Sequence, residues 1–370
     1  MSDVMRVQSF ETLLKWSLAE LEQQDSLFGI HRSLFYTPRV GSPYATEMFG
    51  DHLATPIGPG AGPHTQLTQN IVAAWLSGGR FIELKTVQVM DELEIPRPCI
   101  DMADEGYNVE WSQELRLEES AWEYIKAWVL IHVLRRVLGF DGEVPFGTIF
   151  NMSVGYDLDG IQSEPMTRFL DRLEDASEEI DELQSVLEEK FPRFADLEIS
   201  PRIANSVTLS TMHGCPPDEI EQIGRYLLEE RGLHTFVKLN PTLLGKERVT
   251  SMLQEHLGFE EIHIPDQVFE EDLQYERAVA LLDSLKRAAA EHDLTFGVKL
   301  SNTLAMANHR DVLPGDEVYM SGRALYPITM TLFRELTEEF QRDYATGWDQ
   351  GLNVSYSGGA DALNVSTILS

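Results

Sequence analysis

The chain has 370 residues and a formal net charge of −32 at pH 7. This acidity argues against nucleic acid or an anionic membrane as a general partner, because both bind basic surfaces. No apolar run reaches the ~18–20 residues that span a bilayer. The first residues carry neither a basic start nor an apolar signal core, so we expect a cytoplasmic protein without membrane insertion.

The charged residues and the cysteines further limit which environments and metal clusters suit the chain. Arginine outnumbers lysine by 21 to 8. Adaptation to a high-salt cytoplasm and an ordinary acidic protein both account for this composition. Cys99 and Cys215 are the two cysteines. Two thiols supply neither a disulfide framework nor the four ligands of an iron–sulfur cluster, so such a cluster would belong to another chain or region.

Taken in chain order, apolar periodicity predicts alternating helices and short buried strands. Helices are predicted over residues 10–24, 66–76, 122–138, 166–191, 217–230, 270–292 and 326–343. Strands are predicted over residues 53–58, 81–87, 147–152, 205–210, 235–239, 295–300 and 353–356, with a hairpin at 46–50 and a short extra strand at 262–264. Residues 91–112 are expected to form a binding loop, because long irregular connections are often functional.

This alternation predicts an α/β fold of the (β/α)8 TIM-barrel type. Seven β/α units are found and the eighth strand is missing, so we expect an incomplete C-terminus. The predicted domains are an N-terminal helical extension over residues 1–45 and a barrel over 46–370, with an acidic helical insertion around 160–200.

Three of the eight lysines, Lys85, Lys238 and Lys299, stand near the ends of predicted strands. In a TIM barrel the carboxyl ends of the strands carry the active site. Lysines that converge there suit an anionic or electron-rich ligand. A single lysine at a strand end could simply extend into solvent, but three together favour a site.

Two glycine-rich segments follow predicted strands. Gly58-Pro59-Gly60-Ala61-Gly62 is not a dinucleotide fingerprint, because its prolines remove N–H donors. Its glycines either let the backbone lie against a flat ligand or form a tight turn without a ligand. Ser357-Gly358-Gly359 follows the seventh strand, where barrels often bind phosphate.

The loop over residues 210–217 gathers hydroxyl groups, an imidazole and a thiol before a predicted helix. The helix dipole would favour a thiolate at Cys215, and a purely structural cysteine is the alternative. His213 and Cys215 have no second ligand pair nearby in the sequence, so we expect no metal site.

The ordered set of strand ends resembles the FMN barrels of dihydroorotate dehydrogenase and of the pyrimidine-reducing domain of dihydropyrimidine dehydrogenase. The motifs are Thr55-Pro56-Ile57-Gly58, Leu84-Lys85-Thr86, Asn151, Leu209-Ser210, Lys238-Leu239-Asn240-Pro241, Asn302-Thr303, Ser321-Gly322 with Pro327-Ile328, and Gly358-Gly359. Over essentially all 370 residues the chain also resembles the selenate reductase subunit family, a relative of those enzymes. Its specific motifs are residues 60–66, 79–87 and 209–217.

The resemblance implies roles for individual residues. FMN would be bound by Ala61, Gly62, Lys85, Thr86, Lys238, Ser321, Gly322, Gly358 and Gly359. Lys238 would stand near flavin N1 and stabilise negative charge on the reduced ring. The substrate would face Asn151, Thr208, Asn302 and Thr303. Thr208 stands where the pyrimidine enzymes have asparagine, which weighs against pyrimidine recognition.

Proton transfer is the remaining role that the resemblance implies. Cys215 would be the acid/base, with His213 and Thr211 as the other candidates. The loop that carries them is shorter than in the pyrimidine enzymes.

These residues predict an FMN-dependent oxidoreductase of the CH–CH type that transfers hydride between flavin and a small unsaturated or pyrimidine-like substrate. Electrons would be exchanged with iron–sulfur or FAD-containing partner subunits, and a homo-oligomer stays open. Two alternatives come from other classes. One is a flavin-holding scaffold subunit without its own substrate, and the other is a phosphate-binding lyase or isomerase without flavin.

Overall fold

The computed structural model describes residues 6–89, 99–101, 115–140, 142, 144–210, 215–341 and 351–369. The chain divides into two compact units whose segments alternate along the sequence. The first unit comprises residues 1–92, 113–153 and 162–206. The second unit comprises residues 93–112, 154–161 and 207–370. The boundary predicted at residue 45 stays a prediction.

Helices and short strands alternate over most of the described chain. The helices are α1 (Phe10–Gln24), α2 (Thr68–Leu76), α3 (Leu117–Leu138), α4 (Leu158–Ile161), α5 (Glu164–Glu174), α6 (Ser177–Lys190), α7 (Pro217–Arg225), α8 (Lys246–Thr250), α9 (Asp266–Glu271), α10 (Tyr275–Glu291), α11 (Tyr326–Gln341) and α12 (Val365–Leu369). The strands are β1 (Ser26–Leu27), β2 (Ile30–His31), β3 (Thr46–Met48), β4 (Asp51–Leu53), β5 (Phe81–Glu83), β6 (Ile149–Val154), β7 (Ser206–Leu209), β8 (His234–Leu239), β9 (Phe296–Leu300), β10 (Leu304–Ala307), β11 (Glu317–Met320) and β12 (Asn353–Tyr356). Across the ranges that the structure describes, no helix is both long and apolar enough to cross a membrane.

In the first unit, β5 and β6 pair in parallel, with Glu83 opposite Asn151. Two antiparallel hairpins, β1–β2 and β3–β4, precede this pair. Helix α3 is the centre of the unit, and α2, α5 and α6 pack against it. The acidic helices α5 and α6 each bury an apolar face, so their charges cover only the side that faces water.

A buried carboxylate fixes the start of α2. Glu123 of α3 accepts hydrogen bonds from the N–H of Thr68, at 2.7 Å, and from its hydroxyl, at 2.8 Å. The same carboxylate forms an ion pair with Lys126, whose ammonium donates to the carbonyl of Gln8 at 2.6 Å. A carboxylate at a helix N-terminus satisfies an otherwise orphaned donor and complements the helix dipole.

In the second unit, the strand order is β12–β9–β8–β7. The pairs β8–β9 and β9–β12 are parallel, and their register places Lys238, Lys299 and Ser355 in one row. Strands β10 and β11 form an antiparallel hairpin, and Ile100 bridges Tyr319 of β11 in parallel.

The strand predicted over residues 53–58 is wrong. Leu53 is the last residue of β4 in the β3–β4 hairpin, and the residues that follow it form no regular strand. The carbonyl of Ile57 nevertheless accepts the N–H of Arg80 at 2.7 Å, and that of Pro59 accepts the N–H of Glu83 at 3.2 Å. Pro56 and Pro59 have no N–H to return, so the segment follows β5 without completing a ladder.

Other elements are absent, divided or additional when the structure is compared with the prediction from the sequence. The predicted strand at 262–264 does not form, and the predicted helix at 270–292 is divided into α9 and α10. The side chain of Gln274 donates to the carbonyls of Phe269 and Asp272, both at 2.8 Å, and so stabilises the break. The antiparallel β10–β11 hairpin had no counterpart among the predicted strands. Most of the predicted binding loop at 91–112 lies outside the described residues.

We predict that Gly58→Ala destabilises the protein strongly. A Cβ atom at this position would lie 1.6 Å from the carbonyl oxygen of Phe81, which is backbone and cannot rotate away. Overpacking against fixed atoms costs roughly 3 kcal/mol or more at the upper end of its range, and urea denaturation would measure the loss. Gly142→Ala is the matched control, since no atom of the described residues lies within 4 Å of its added Cβ. Equal denaturation midpoints for the two variants would contradict the prediction.

Candidate active site

In the first unit, the main chain of Lys85 is held by two hydrogen bonds. Its N–H donates to the carbonyl of Thr65 at 3.2 Å, and its carbonyl accepts the hydroxyl of Tyr124 at 2.9 Å. Burial raises the pKa of Tyr124, so its hydroxyl remains a donor. The ammonium of Lys85 donates to the carbonyl of Thr86 at 3.2 Å. With only 5% of its surface exposed, Lys85 is a buried cation just beyond β5.

Two other predicted residues lie beside Lys85. The hydroxyls of Thr86 and Ser153 are 2.7 Å apart. Asn151 is buried and its carbonyl accepts the N–H of Leu84 at 2.9 Å. Since β6 runs from Ile149 to Val154, Asn151 lies within the strand. The structure therefore brings Lys85, Thr86 and Asn151 together.

Protein contacts hold the glycine-rich loop after residue 57. The N–H of Ala61 donates to the buried carboxylate of Glu83 at 3.1 Å. Gly62 exchanges hydrogen bonds of 3.1 Å with the hydroxyl of Thr65. Sequence reasoning missed the role of Glu83, although an acid inside an apolar strand was an available signal. These contacts support the tight-turn interpretation for this part of the loop.

In the second unit, a row of polar side chains crosses β8, β9 and β12. Lys238 is the register partner of Lys299, which in turn is the partner of Ser355. Lys299 has 2% of its surface exposed, whereas Lys238 is half-buried. Register partners in a parallel sheet project from the same face. The two lysines therefore stand side by side.

The remaining predicted substrate residues of this unit lie in or after neighbouring strands. Thr208 is buried within β7. The N–H of Asn302 donates to the carbonyl of Leu239 at 2.8 Å, which holds the end of β9 against β8. The side-chain oxygen of Asn302 accepts the N–H of Thr303 at 3.0 Å. Both residues are half-buried.

The predicted phosphate-binding residues come together in the second unit. Ser321 precedes a 3₁₀ turn over Gly322–Leu325, which leads into α11. Gly359 has a φ of +84°, and a Cβ there would lie 2.8 Å from the carbonyl oxygen of Gly322. At Gly358 a Cβ would lie 2.3 Å from the hydroxyl of Thr329. Both glycines are thus required for the close approach of the two chain segments.

Cys215 does not have the environment expected of a thiolate. Burial and the carboxylates of Glu219 and Asp157 raise its pKa to about 11. Pro216 and Pro217 have no N–H, so the start of α7 offers fewer donors than an ordinary helix N-terminus. The predicted lowering of the thiol pKa is therefore wrong. His213 and Thr211 lie outside the described residues.

We predict that Cys215 alkylates slowly at neutral pH. Because only the thiolate reacts, the rate with iodoacetamide should rise about tenfold per pH unit towards a midpoint near pH 11. Buried Cys99 should stay unlabelled in the native protein. Peptide mapping by mass spectrometry separates the two sites.

Glu219→Gln tests the cause of this raised pKa. The variant removes a negative charge but keeps an oxygen that can accept the N–H of Leu158, now 2.9 Å away. The midpoint of Cys215 labelling should therefore fall. A wild-type midpoint below the ordinary value of 9.0 would contradict the electrostatic argument.

An open cavity of about 440 Å³ lies elsewhere in the first unit. Gln8, Trp122 and Lys126 are among its lining residues, and it contains none of the predicted site residues. Within the described parts of the chain, no group of three or more His, Cys, Asp or Glu side chains is placed to hold a metal ion.

The parallel strands and the strand-end groups are those of an α/β protein of the TIM-barrel class. Residues 28–370 match the family model described as "Oxidoreductase YgfK, N-terminal TIM-barrel domain". The chain belongs to this family, which confirms the predicted barrel class.

Two curated relatives and a solved structure are similar to the chain. YgfK of Escherichia coli strain K12 and YgfK of Escherichia coli O157:H7 are each 46% identical to it over 388 aligned residues. These alignments cover all of the chain but only 36% of each relative, so the chain spans about a third of their length. The ligand-free DHODH of Eimeria tenella is 14% identical with a TM-score of 0.47, covering 88% of this chain and 78% of that structure.

Proposed function

We propose that the chain is an FMN-dependent oxidoreductase domain of the CH–CH type, acting on a small unsaturated or pyrimidine-like substrate. The family to which it belongs is named for an oxidoreductase. The single observation that carries the cofactor proposal is the close approach of Gly359 to the turn that begins at Gly322, with Gly358 against Thr329 of α11. We call this crossing the glycine cradle; in the proposal, backbone N–H groups beside the start of α11 would face a phosphate group there.

The glycine geometry fits the phosphate end of FMN. Any side chain at Gly359 would collide with the backbone of Gly322 and Arg323, so this crossing admits only glycine. A cradle built of backbone can approach phosphate oxygens closely. Ser321, Gly322, Gly358 and Gly359 would hold the phosphate in this proposal.

Lys85, which is buried, and Lys238, which is half-buried, fit the electron-rich ring of the same cofactor. Bound FMN would supply hydride-transfer chemistry. Lys238 would stabilise negative charge on the reduced ring, and Lys85 with Thr86 would bind the ring or its ribityl chain. A cation removed from water acts strongly on a neighbouring charge, because it is poorly screened. Asn151, Thr208, Asn302 and Thr303 would orient the substrate.

The raised pKa of Cys215 bears on proton transfer. A thiol with a pKa of about 11 carries its proton at neutral pH. It would therefore act as a general acid at Sγ in the direction that reduces the substrate. Burial, together with the acidic neighbours Glu219 and Asp157, favours that protonated state and opposes a nucleophilic role.

The proposed partners are redox groups outside this chain. With two cysteines, the chain lacks the ligands for an iron–sulfur cluster of the four-cysteine type. Iron–sulfur or FAD-containing regions or subunits would therefore exchange electrons with it.

A phosphate-binding barrel enzyme without flavin is the second candidate. The N–H of Ala61, proposed to lie against the flavin, donates instead to Glu83 at 3.1 Å. This contact favours a loop shaped by the protein itself. The glycine cradle would serve both candidates, so the identity of the released cofactor separates them.

We predict that the protein binds FMN and neither FAD nor NAD. Purified protein should show a flavin absorbance spectrum, either directly or after reconstitution. Denaturation should then release a compound that co-elutes with FMN in chromatography. Release of FAD, or a protein that stays colourless after incubation with FMN, would contradict the proposal.

Lys238→Met should lower the midpoint potential of the bound flavin. Loss of one charge-assisted contact weakens the reduced state by roughly 1–3 kcal/mol. Redox titration with a reference dye would measure the change. An unchanged potential would assign the role near the ring to Lys85 instead.

A further inference from the structure

Two side chains bind the carbonyl groups of the glycine cradle in the second unit. The hydroxyl of Tyr356 donates to the carbonyl of Gly358 at 2.7 Å. The side-chain amide of Asn364 donates to the carbonyl of Gly359 at 2.9 Å. The two consecutive carbonyls are therefore both engaged by donors of the protein itself.

These contacts fix the direction of the neighbouring N–H groups. A planar trans peptide unit directs its C=O and its N–H to opposite sides. Because the carbonyl of Gly358 faces Tyr356, the N–H of Gly359 in the same peptide unit faces away from that side chain. The N–H of Ala360 faces away from Asn364 for the same reason. Gly359 has a φ of +84°, and successive N–H groups beside a left-handed residue can form an anion-binding concavity.

Both side chains are themselves held in place. Oδ1 of Asn364 accepts the N–H of Asp361 at 2.8 Å, so the two ends of its amide bind the same turn. The ring of Tyr356 packs edge-on against Phe333 of α11, with ring centroids 6.4 Å apart. Burial raises the pKa of Tyr356, so its hydroxyl keeps its proton and remains a donor.

The carboxylate of Asp361 stands in the same turn and would repel a phosphate group if it were unpaired. One of its oxygens accepts the N–H of Leu363 at 2.7 Å and that of Asn364 at 3.1 Å. Its other oxygen lies 3.6 Å from the guanidinium of Arg323, which follows Gly322 on the other segment of the cradle. The negative charge of Asp361 is therefore met by donors of the protein, and the ion pair links the two segments that cross.

We propose that Tyr356 and Asn364 are positioning residues for the phosphate group of FMN. They hold the carbonyls of the cradle and leave the N–H groups of Gly359 and Ala360 to donate to the anion. The inference rests on the proposed function and deepens it, because it names the donors and the side chains that orient them. Donors that are oriented beforehand bind more tightly, since binding then costs less ordering of the loop.

The test compares FMN with riboflavin, which has the same ring system but no phosphate group. Quenching of flavin fluorescence gives the dissociation constant of each flavin for the 370-residue chain. We expect Asn364→Ala to weaken FMN about tenfold, the scale of one hydrogen bond to a charged group, and to leave riboflavin unchanged. Tyr356→Phe removes only the hydroxyl, keeps the ring beside Phe333, and should change the ratio in the same direction. A merely structural role would weaken both flavins together.

Asn308→Ala is the matched control in the same unit. The side chain of Asn308 also binds loop carbonyls, those of Leu313 at 2.6 Å and Gly315 at 2.8 Å, but in the β10–β11 hairpin. Its removal should leave the ratio of the two dissociation constants unchanged. If Asn364→Ala does not fold, Tyr356→Phe carries the test. Failure of both variants to fold would make the two side chains structural and overturn the inference.

Further outcomes distinguish the inference from the proposed function. Wild-type protein that binds FMN no more tightly than riboflavin, or folded variants with an unchanged ratio, would overturn the inference and leave the proposed function standing. Equal weakening of both flavins would do the same.

Inorganic phosphate provides a probe that needs no flavin. A wild-type chain that binds no flavin, but whose melting temperature rises with inorganic phosphate, contradicts the proposed function. Loss of that rise in Asn364→Ala and Tyr356→Phe would then support the inference, and its retention would overturn it. A wild-type chain that binds neither flavin nor phosphate contradicts both proposals.

Discussion

The parallel ladders between strands decide where the candidate groups of each unit stand. Since each ladder fixes register, one pairing between β8 and β9 places Lys238 beside Lys299 and sets the height of Ser355 on the next strand. In the first unit the pairing of β5 with β6 sets Glu83 beside Asn151 in the same way. A slip of one residue would turn all of these side chains to the opposite face, so register is the constraint on which the site depends.

Both units contain buried charged side chains, but these side chains differ in sign and in arrangement. In the first unit the carboxylate of Glu123 has protein partners on two sides, Thr68 and Lys126, and stabilises the packing of helices. Glu83 likewise holds the loop at Ala61. In the second unit two cations of like sign share one face. The first arrangement is explained by the contacts that the carboxylate makes within the unit.

Local signals made much of the fold predictable. Helix α1 begins and ends where its apolar spacing predicts, and the hydroxyl of Ser9 caps it by accepting the N–H of Thr12. Features that depend on contacts between residues far apart in the sequence could not be predicted. The pKa of Cys215 is raised by burial and by the carboxylates of Glu219 and Asp157, and Asp157 lies far away in the sequence. The candidate site residues could be chosen from strand ends. An acid inside an apolar strand could have marked Glu83, but its contact with Ala61 on another segment required the structure.

The alternation of the two units along the chain has a consequence for synthesis on the ribosome. All segments of the first unit have been made once residue 206 is added, whereas the second unit still needs residues 207–370. Its early segments, 93–112 and 154–161, are synthesised before the residues 207–370 that complete the unit. Domains tend to fold in the order in which they emerge. Neither unit corresponds to one continuous stretch of the gene, so a simple truncation cannot separate them.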